Sequence, residues 1–248
     1  MKRVTYPIAA GLLLIAGILL SGSIWAQADE DIFEANRLKK TFPDDRVAAI
    51  SVQEEYTFEK GRSEDKLPVV IATKNTGITF LALRERAGIQ YADFYNSFCK
   101  ITSFKQLEKV KGMFGMKKNY NVGYAIDRSA SSSDYFSDDS RVKFFNIRFS
   151  GYGDVTRVET EKKYFDSKYL SNIYFHSWYP AKEKIVRIVV PDWLQLDIRE
   201  FNFGDYKVMK QKSQEKNATV YTFRILNLQA MKSEERSVGT AFTWPHLV

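Results

Sequence analysis

Three residues could supply nucleophilic or metal chemistry: Cys99, His176 and His246, the lone cysteine and the two histidines among 248 residues. A cysteine nucleophile needs a thiolate, an imidazole to deprotonate it and a group that orients the imidazole. Cys99 lies in Phe98-Cys99-Lys100-Ile101, with no glycine-rich or aromatic signature around it, and reads as a small buried hydrophobe with an inert thiol. Zinc would want Cys, His or carboxylates clustered at short spacing, which this chain does not offer. Asp134, Asp138 and Asp139 could collect calcium, but the glycine and closing glutamate of a helical calcium loop are missing, so the segment reads as a solvated loop. A carboxylate pair for glycoside hydrolysis could be drawn from Glu159, Glu161, Asp166 and Asp197, and only their separation in space would decide it. Acids at alternating strand positions are also what a solvated sheet face looks like. No phosphate-binding loop, nucleophile elbow or dinucleotide fingerprint occurs, and the sequence calls for no cofactor.

The remaining candidates are aromatic. In Tyr174-Phe175-His176-Ser177-Trp178, strand parity places Tyr174, His176 and Trp178 on one face. Turned outward, that face could stack on sugars or on a partner's rings; turned inward, it is core or inter-domain packing. With Trp193 and Trp244, these three form the set of candidate interface residues.

The elements that would position them follow from hydrophobic rhythm. Residues 29 to 45 read as a lead-in helix: Asp29, Glu30 and Asp31 favour its N-terminus, Lys39 and Lys40 its C-terminus, and Pro43 stops it. From Val47 the period changes to two, with Ile50, Val52, Tyr56 and Phe58 on one face. A connection at residues 59 to 66 leads to a partner strand over 67 to 73, and Asn75-Thr76-Gly77 reads as a further turn before Ile78 to Leu83. Ser103 as N-cap, with Phe104, Leu107, Val110 and Phe114 at helical spacing, predicts one inserted amphipathic helix ending at Gly115. Its polar face would carry Lys105, Glu108, Lys109 and Lys111. The Ser/Asp-rich stretch from Asp127 to Ser140 reads as a loop.

Alternation then resumes over 141–149, 155–164, 172–179, 184–190, 194–203, 207–211 and 219–226, separated by short turns such as Glu215-Lys216-Asn217. The expected fold is all-β: an antiparallel β-sandwich over residues 46 to 248, with the N-terminal helix and the inserted helix. A hydrophobic share of 44%, with 15% aromatic residues, suffices for a sizeable core. The single cysteine means that packing rather than disulfides must hold it.

Residues 1 to 28 carry a basic start (Lys2, Arg3), an apolar run from Ile8 to Leu20, and Ala26-Gln27-Ala28 before an acidic stretch. That pattern reads as a cleaved secretory signal, since Ser21, Gly22 and Ser23 interrupt the run short of the roughly 20 residues a spanning helix needs. The expected location is the periplasm or cell envelope, with no transmembrane span after cleavage. The formal charge of +7 is dispersed among acids, which fits a solvated surface, and export disfavours a nucleic-acid partner.

An ordered set of short motifs resembles one family. The matching text is Phe42-Pro43-Asp44-Asp45, Phe136-Ser137-Asp138-Asp139-Ser140-Arg141-Val142, Glu161-Lys162-Lys163-Tyr164-Phe165-Asp166-Ser167-Lys168-Tyr169, Ile173-Tyr174-Phe175 and Val190-Pro191-Asp192-Trp193. It continues with Val220-Tyr221-Thr222-Phe223 running to Asn227, then Met231-Lys232-Ser233-Glu234-Glu235. Together these resemble the uncharacterised β-rich domain that precedes a transglutaminase-like core in exported bacterial proteins. The resemblance implies an antiparallel sandwich, an envelope location and a catalytic domain downstream. The cysteine, histidine and aspartate of that core have no matching positions here, so no catalytic residue carries over, and Pro245-His246-Leu247-Val248 reads as the end of one domain of a longer protein. The function expected is a non-catalytic accessory domain that packs beside, or presents substrate to, a transglutaminase-like or protease-like domain. The alternatives are a stand-alone envelope module holding glycan or peptide, and an enzyme using Cys99 or a carboxylate pair.

Overall fold

The computed structural model describes residues 30–62, 66–111, 117–121, 123–130, 139–166, 169–170, 172–231 and 239–248. The chain is all-β, led by one helix, α1, over 30–41. The strands that follow are β1 (Val47–Arg62), β2 (Pro68–Ala82), β3 (Gly88–Tyr95), β4 (Cys99–Lys111), β5 (Lys117–Asn121), β6 (Ile126–Ser129) and β7 (Arg141–Arg148). Next come β8 (Val155–Tyr164), β9 (Ile173–Tyr174), β10 (Ala181–Pro191), β11 (Glu200–Phe201), β12 (Met209–Glu215) and β13 (Ala218–Leu228), then the short helix α2 (Thr240–Thr243) and β14 (His246–Leu247).

An eight-stranded sheet, in the order β12-β13-β10-β1-β2-β8-β4-β5, forms the main layer. Two three-stranded sheets, β3-β7-β6 and β11-β14-β9, make up the rest of the strand framework. Phe145 and Ile147 of β7, with Phe175 and Leu247 beside β9 and β14, pack on Val52, Ile78, Phe80, Val158, Val186, Ile188 and Phe223 of the main sheet. Within that sheet the pairings are antiparallel except β1 with β10, which is parallel (Gln53 opposite Ile185, Tyr56 opposite Ile188). That pair departs from the wholly antiparallel expectation, and it is possible because more than a hundred residues of other strands separate β1 from β10 and supply the crossover a parallel pair requires.

The lead-in helix forms, ending at Thr41 rather than at the expected 45. Ala35, Leu38 and Phe42 bury against Ala48, Leu81 and Leu83 on the face of the main sheet opposite the large core. A register shift between Ala49 and Ser51 makes this possible: it turns Ile50 toward α1 while Ala49 and Val52 remain in the large core. Ile50 therefore does not share a face with Val52 and Tyr56. Gly153, with φ +81°, lets its loop pass α1, since a Cβ there would lie 3.3 Å from Ile32.

The inserted helix does not form. Residues 99 to 111 are strand β4, laid along β8 with Cys99 opposite Tyr164 and Phe104 opposite Thr160. The spacing of Phe104 and Leu107 suits a helix, but Phe104 and Gln106 also alternate with exposed Lys105, and the ladder to β8 outweighs a weak helical preference. Phe104 stacks on Phe145 at 4.7 Å and on Tyr91 at 5.8 Å. The turn expected at Asn75-Thr76-Gly77 is also absent: β2 runs unbroken, with Gly77 paired to Gln53 and Glu159. The expected loop from Asp127 opens as β6 on β7, while 131–138, including Asp134 and Asp138, lie outside the described residues, as does the signal segment. The expected strands at 172–179 and 194–203 shrink to the two-residue pieces β9 and β11.

Candidate interaction surface

The five aromatic candidates separate into two populations. Tyr174 pairs with His246 across β9 and β14, their rings 4.9 Å apart. His176 is 8% exposed, its ring 4.1 Å from that of half-buried Trp244 and 5.1 Å from Tyr206. Trp178, two residues on, is 73% exposed. The one-face arrangement therefore does not hold: the strand ends at Tyr174, and once the pleat is lost, alternation no longer fixes which side a residue faces. His176 and Trp244 come together in the packing and Tyr174 packs on His246, while Trp178 points out. Trp193 lies apart, in the turn after β10, 42% exposed with Lys60 Nζ 5.0 Å from its ring centroid.

The segments around β9, β11 and β14 expose further large side chains that sequence reading missed. Phe242 of α2 is 76% exposed. Phe201 of β11, its ring stacked on His246 at 5.2 Å, is exposed as well. Asn202, held in a left-handed conformation, donates from Nδ2 to Ala241 O and Trp244 O, fixing the α2 segment against β11. His246 Nδ1 lies 2.9 Å from Trp244 O, which makes that nitrogen the donor. Exposed Phe201, Phe242 and Trp178 thus lie in segments whose neighbouring rings, His246 and His176, are buried, and large aromatics in solvent are the residue type from which contact anchors are drawn.

Beneath that layer lies a buried ionic cluster on the inner face of the main sheet. Lys184 Nζ donates to Glu54 Oε1 at 3.1 Å and to Tyr174 O at 2.8 Å; Lys74 Nζ lies 3.2 Å from Glu54 Oε1, and Tyr56 Oη donates to Glu54 Oε2 at 3.3 Å. Burial alone would raise the Glu54 carboxyl, but the two lysines overcome it and bring it down to about 2. Lys162 pairs with Asp93 at 3.3 Å nearby. Lys184 thus ties the β9 backbone to the main sheet. The signal for this cluster was present in the sequence: Glu54 shares parity with Val52 and Tyr56, and Lys184 with Val186 and Ile188, so charged residues stand at positions the period assigns to the core.

The groups weighed for catalysis sit elsewhere. Cys99 is buried, its Sγ donating to Asn96 Oδ1 at 3.3 Å, and it clusters with Ala72 and Tyr164. Both imidazoles pack in the β9-β14-β11 layer on other partners. Glu159 pairs with Arg157 at 2.7 Å, Glu161 accepts from Thr102 Oγ1 at 2.5 Å, and Asp197 pairs with Arg199 at 3.0 Å. Asp139 accepts from the Ser97 backbone N–H at 2.7 Å. No group of three or more metal-binding side chains occurs among the described residues.

Two of the concavities among the described residues bear on the site. One, of about 570 Å³ on the outer face of the main sheet, is lined by Glu55, Asn75, Arg157, Glu161 and Arg187. Its charges are largely paired within the sheet, Arg187 bridging Glu55 at 3.2 Å and Glu215 at 3.0 Å. The other, of about 300 Å³, is apolar, lined by Phe58, Val70, Ile173, Leu194, Leu196 and Leu247 among others, with Asp197 as its one acid.

A family described as a domain of unknown function with a solved structure, DUF3857, matches residues 121–232. That stretch supplies β6 to β13, while β1, β2 and β4 of the main sheet lie outside it. No curated protein matches the chain. Among solved structures, a "putative protease" from Parabacteroides distasonis is similar over 82% of this chain and 39% of its own, at 14% identity and a TM-score of 0.49. The M1 zinc metallopeptidase from Deinococcus radiodurans is similar over 72% of this chain and 38% of its own, at 10% identity and a TM-score of 0.37. A "putative nutrient binding protein" from Legionella pneumophila is similar over 82% and 67%, at 7% identity and a TM-score of 0.41. The chain spans about two fifths of the length of the first two.

Proposed function

We propose that this chain is a non-catalytic contact module of the cell envelope that packs beside, or presents substrate to, a transglutaminase-like or protease-like domain. The observation that carries this reading is the exposure of large aromatics, Phe201 of β11, Phe242 of α2 and Trp178 beyond β9, in the segments that form and adjoin the β9-β14-β11 sheet. The candidate nucleophile and acids are meanwhile engaged in local hydrogen bonds and ion pairs. The ordered motifs that resemble the domain ahead of a transglutaminase-like core support the choice of partner, and the N-terminal pattern supports export. Mixing the purified chain with a transglutaminase-like domain from the same organism should give a complex that Trp178→Ala and Phe242→Ala together weaken at least tenfold. Equal binding by the double variant would remove the aromatic layer from the interface.

A second reading, a stand-alone module holding an apolar peptide, is favoured by the groove lined by Phe58, Ile173, Leu194 and Leu247. Binding of apolar peptides by the chain alone, lost in Leu196→Asp and kept in Trp178→Ala, would favour it.

A further inference from the structure

His176 is the one buried side chain among the described residues with a polar atom, Nδ1, that finds no hydrogen-bond partner. Its ring lies between Tyr206 and Trp244. The charged group acting on it is Lys184 of β10, itself shared between Glu54 of β1 and the Tyr174 carbonyl. Beyond Lys184, the inner face adds Lys74 of β2 and Lys162 of β8 against Asp93 of β3, so three lysines face two carboxylates. Asp205, next to Tyr206, is exposed, and His246 on β14 is turned to Trp244 O. A proton on His176 would add a further cation to a buried site already rich in them.

The layer holding His176 has only short backbone ladders. β9, β11 and β14 are two residues each, and what fastens them to the main sheet is Lys184 to Tyr174 O together with side-chain packing, Phe175 and Leu247 above all. Segments with few backbone ties open locally without global unfolding.

The geometry points to an acid-sensitive latch: proton uptake by His176 releases the β9-β14-β11 layer from the main sheet while that sheet stays folded. Burial, followed by the Lys184 charge, lowers the imidazole from 6.5 to about 4 in the closed state. The opened state therefore binds the proton more tightly, and opening becomes easier as pH falls below about 6.5, levelling off near 4. Between pH 7.5 and 5.0 this linkage amounts to about 30-fold in the opening equilibrium. Glu54 stays ionised throughout that range, so the main sheet keeps its ion pairs. The latch is a property of the chain by itself and stands whether or not Trp178 touches a partner.

Hydrogen exchange of the purified chain, corrected for the intrinsic pH dependence of exchange, tests it. Peptides covering 173–179 and 240–248 should open about 30-fold more at pH 5.0 than at pH 7.5, with β1, β2 and β8 unchanged, and His176→Phe should flatten the response. Should that variant fail to fold, proton NMR of the two histidines in the native chain decides: one imidazole must remain neutral at pH 5.0. Layer protection that is the same at both pH values, main-sheet opening to the same extent, or two histidines that both titrate near 6.5 would overturn the latch.

Discussion

The main sheet and the β9-β14-β11 layer are held by different means. The sheet has long, register-matched strands, β1 against β2 over nearly their full length, and can therefore keep Glu54 and Lys184 buried, with half-buried Lys74 beside them. The layer has two-residue strands joined by ring contacts among Tyr174, His176, Trp244, His246 and Phe201, and it turns further aromatics outward. An extensive ladder tolerates charge within because its geometry is fixed by backbone bonds; a layer fixed by side chains is the easier to adapt to a partner.

The comparison breaks most readily at Glu54. Glu54→Ala leaves buried Lys184 and half-buried Lys74 without their acid and should cost about 3–5 kcal/mol in urea unfolding. A loss below about 1 kcal/mol would mean that the cluster is solvated rather than part of the core. The same pairing sets an acid limit. Because the Glu54 carboxyl is depressed from 4.5 to about 2 in the fold, its contribution is full above pH 4.5 and is lost as pH falls toward 2. Global unfolding monitored by circular dichroism should steepen in that window, most of which lies below the range in which His176 acts.

Phe175 joins the two regions, edge-on to Phe203 at 5.6 Å and to Phe223 at 6.4 Å. Phe175→Ala should cost about 3 kcal/mol, with hydrogen exchange rising first in 173–179. A uniform rise across β1 and β2 would make the layer inseparable from the sheet.

These distinctions were partly legible in the sequence. Alternation located β7, β8, β10 and β13 closely because each is half-buried along its length, and Asp29 to Pro43 marked α1. The same signal misplaced β4, where Phe104 and Leu107 fit a helical period while Phe104 and Gln106 alternate with exposed Lys105, and the free edge of β8 decided the outcome. It also overextended β9 and β11, since parity describes a strand only while a neighbour maintains the pleat. Of the candidate contact residues, Trp178 emerged exposed, whereas His176 and Trp244 were drawn inward by each other, a pairing across 68 residues that no local pattern encodes.

The smallest expected effect is at Trp178. With its ring in solvent, Trp178→Ala should shift unfolding by less than about 0.5 kcal/mol; a loss of several kcal/mol would make it core.

The most direct test of contact through the layer is site-specific photo-cross-linking in living cells, with benzoylphenylalanine placed at Trp178, at Phe242 and, as the comparison, at Lys163 on the outer face of the main sheet. The first two positions should cross-link to a transglutaminase-like or protease-like domain identified by mass spectrometry, and the third should not. Cross-linking to such a domain from Lys163 alone, or from none of the three, would contradict the assignment of the aromatic layer as the contact surface.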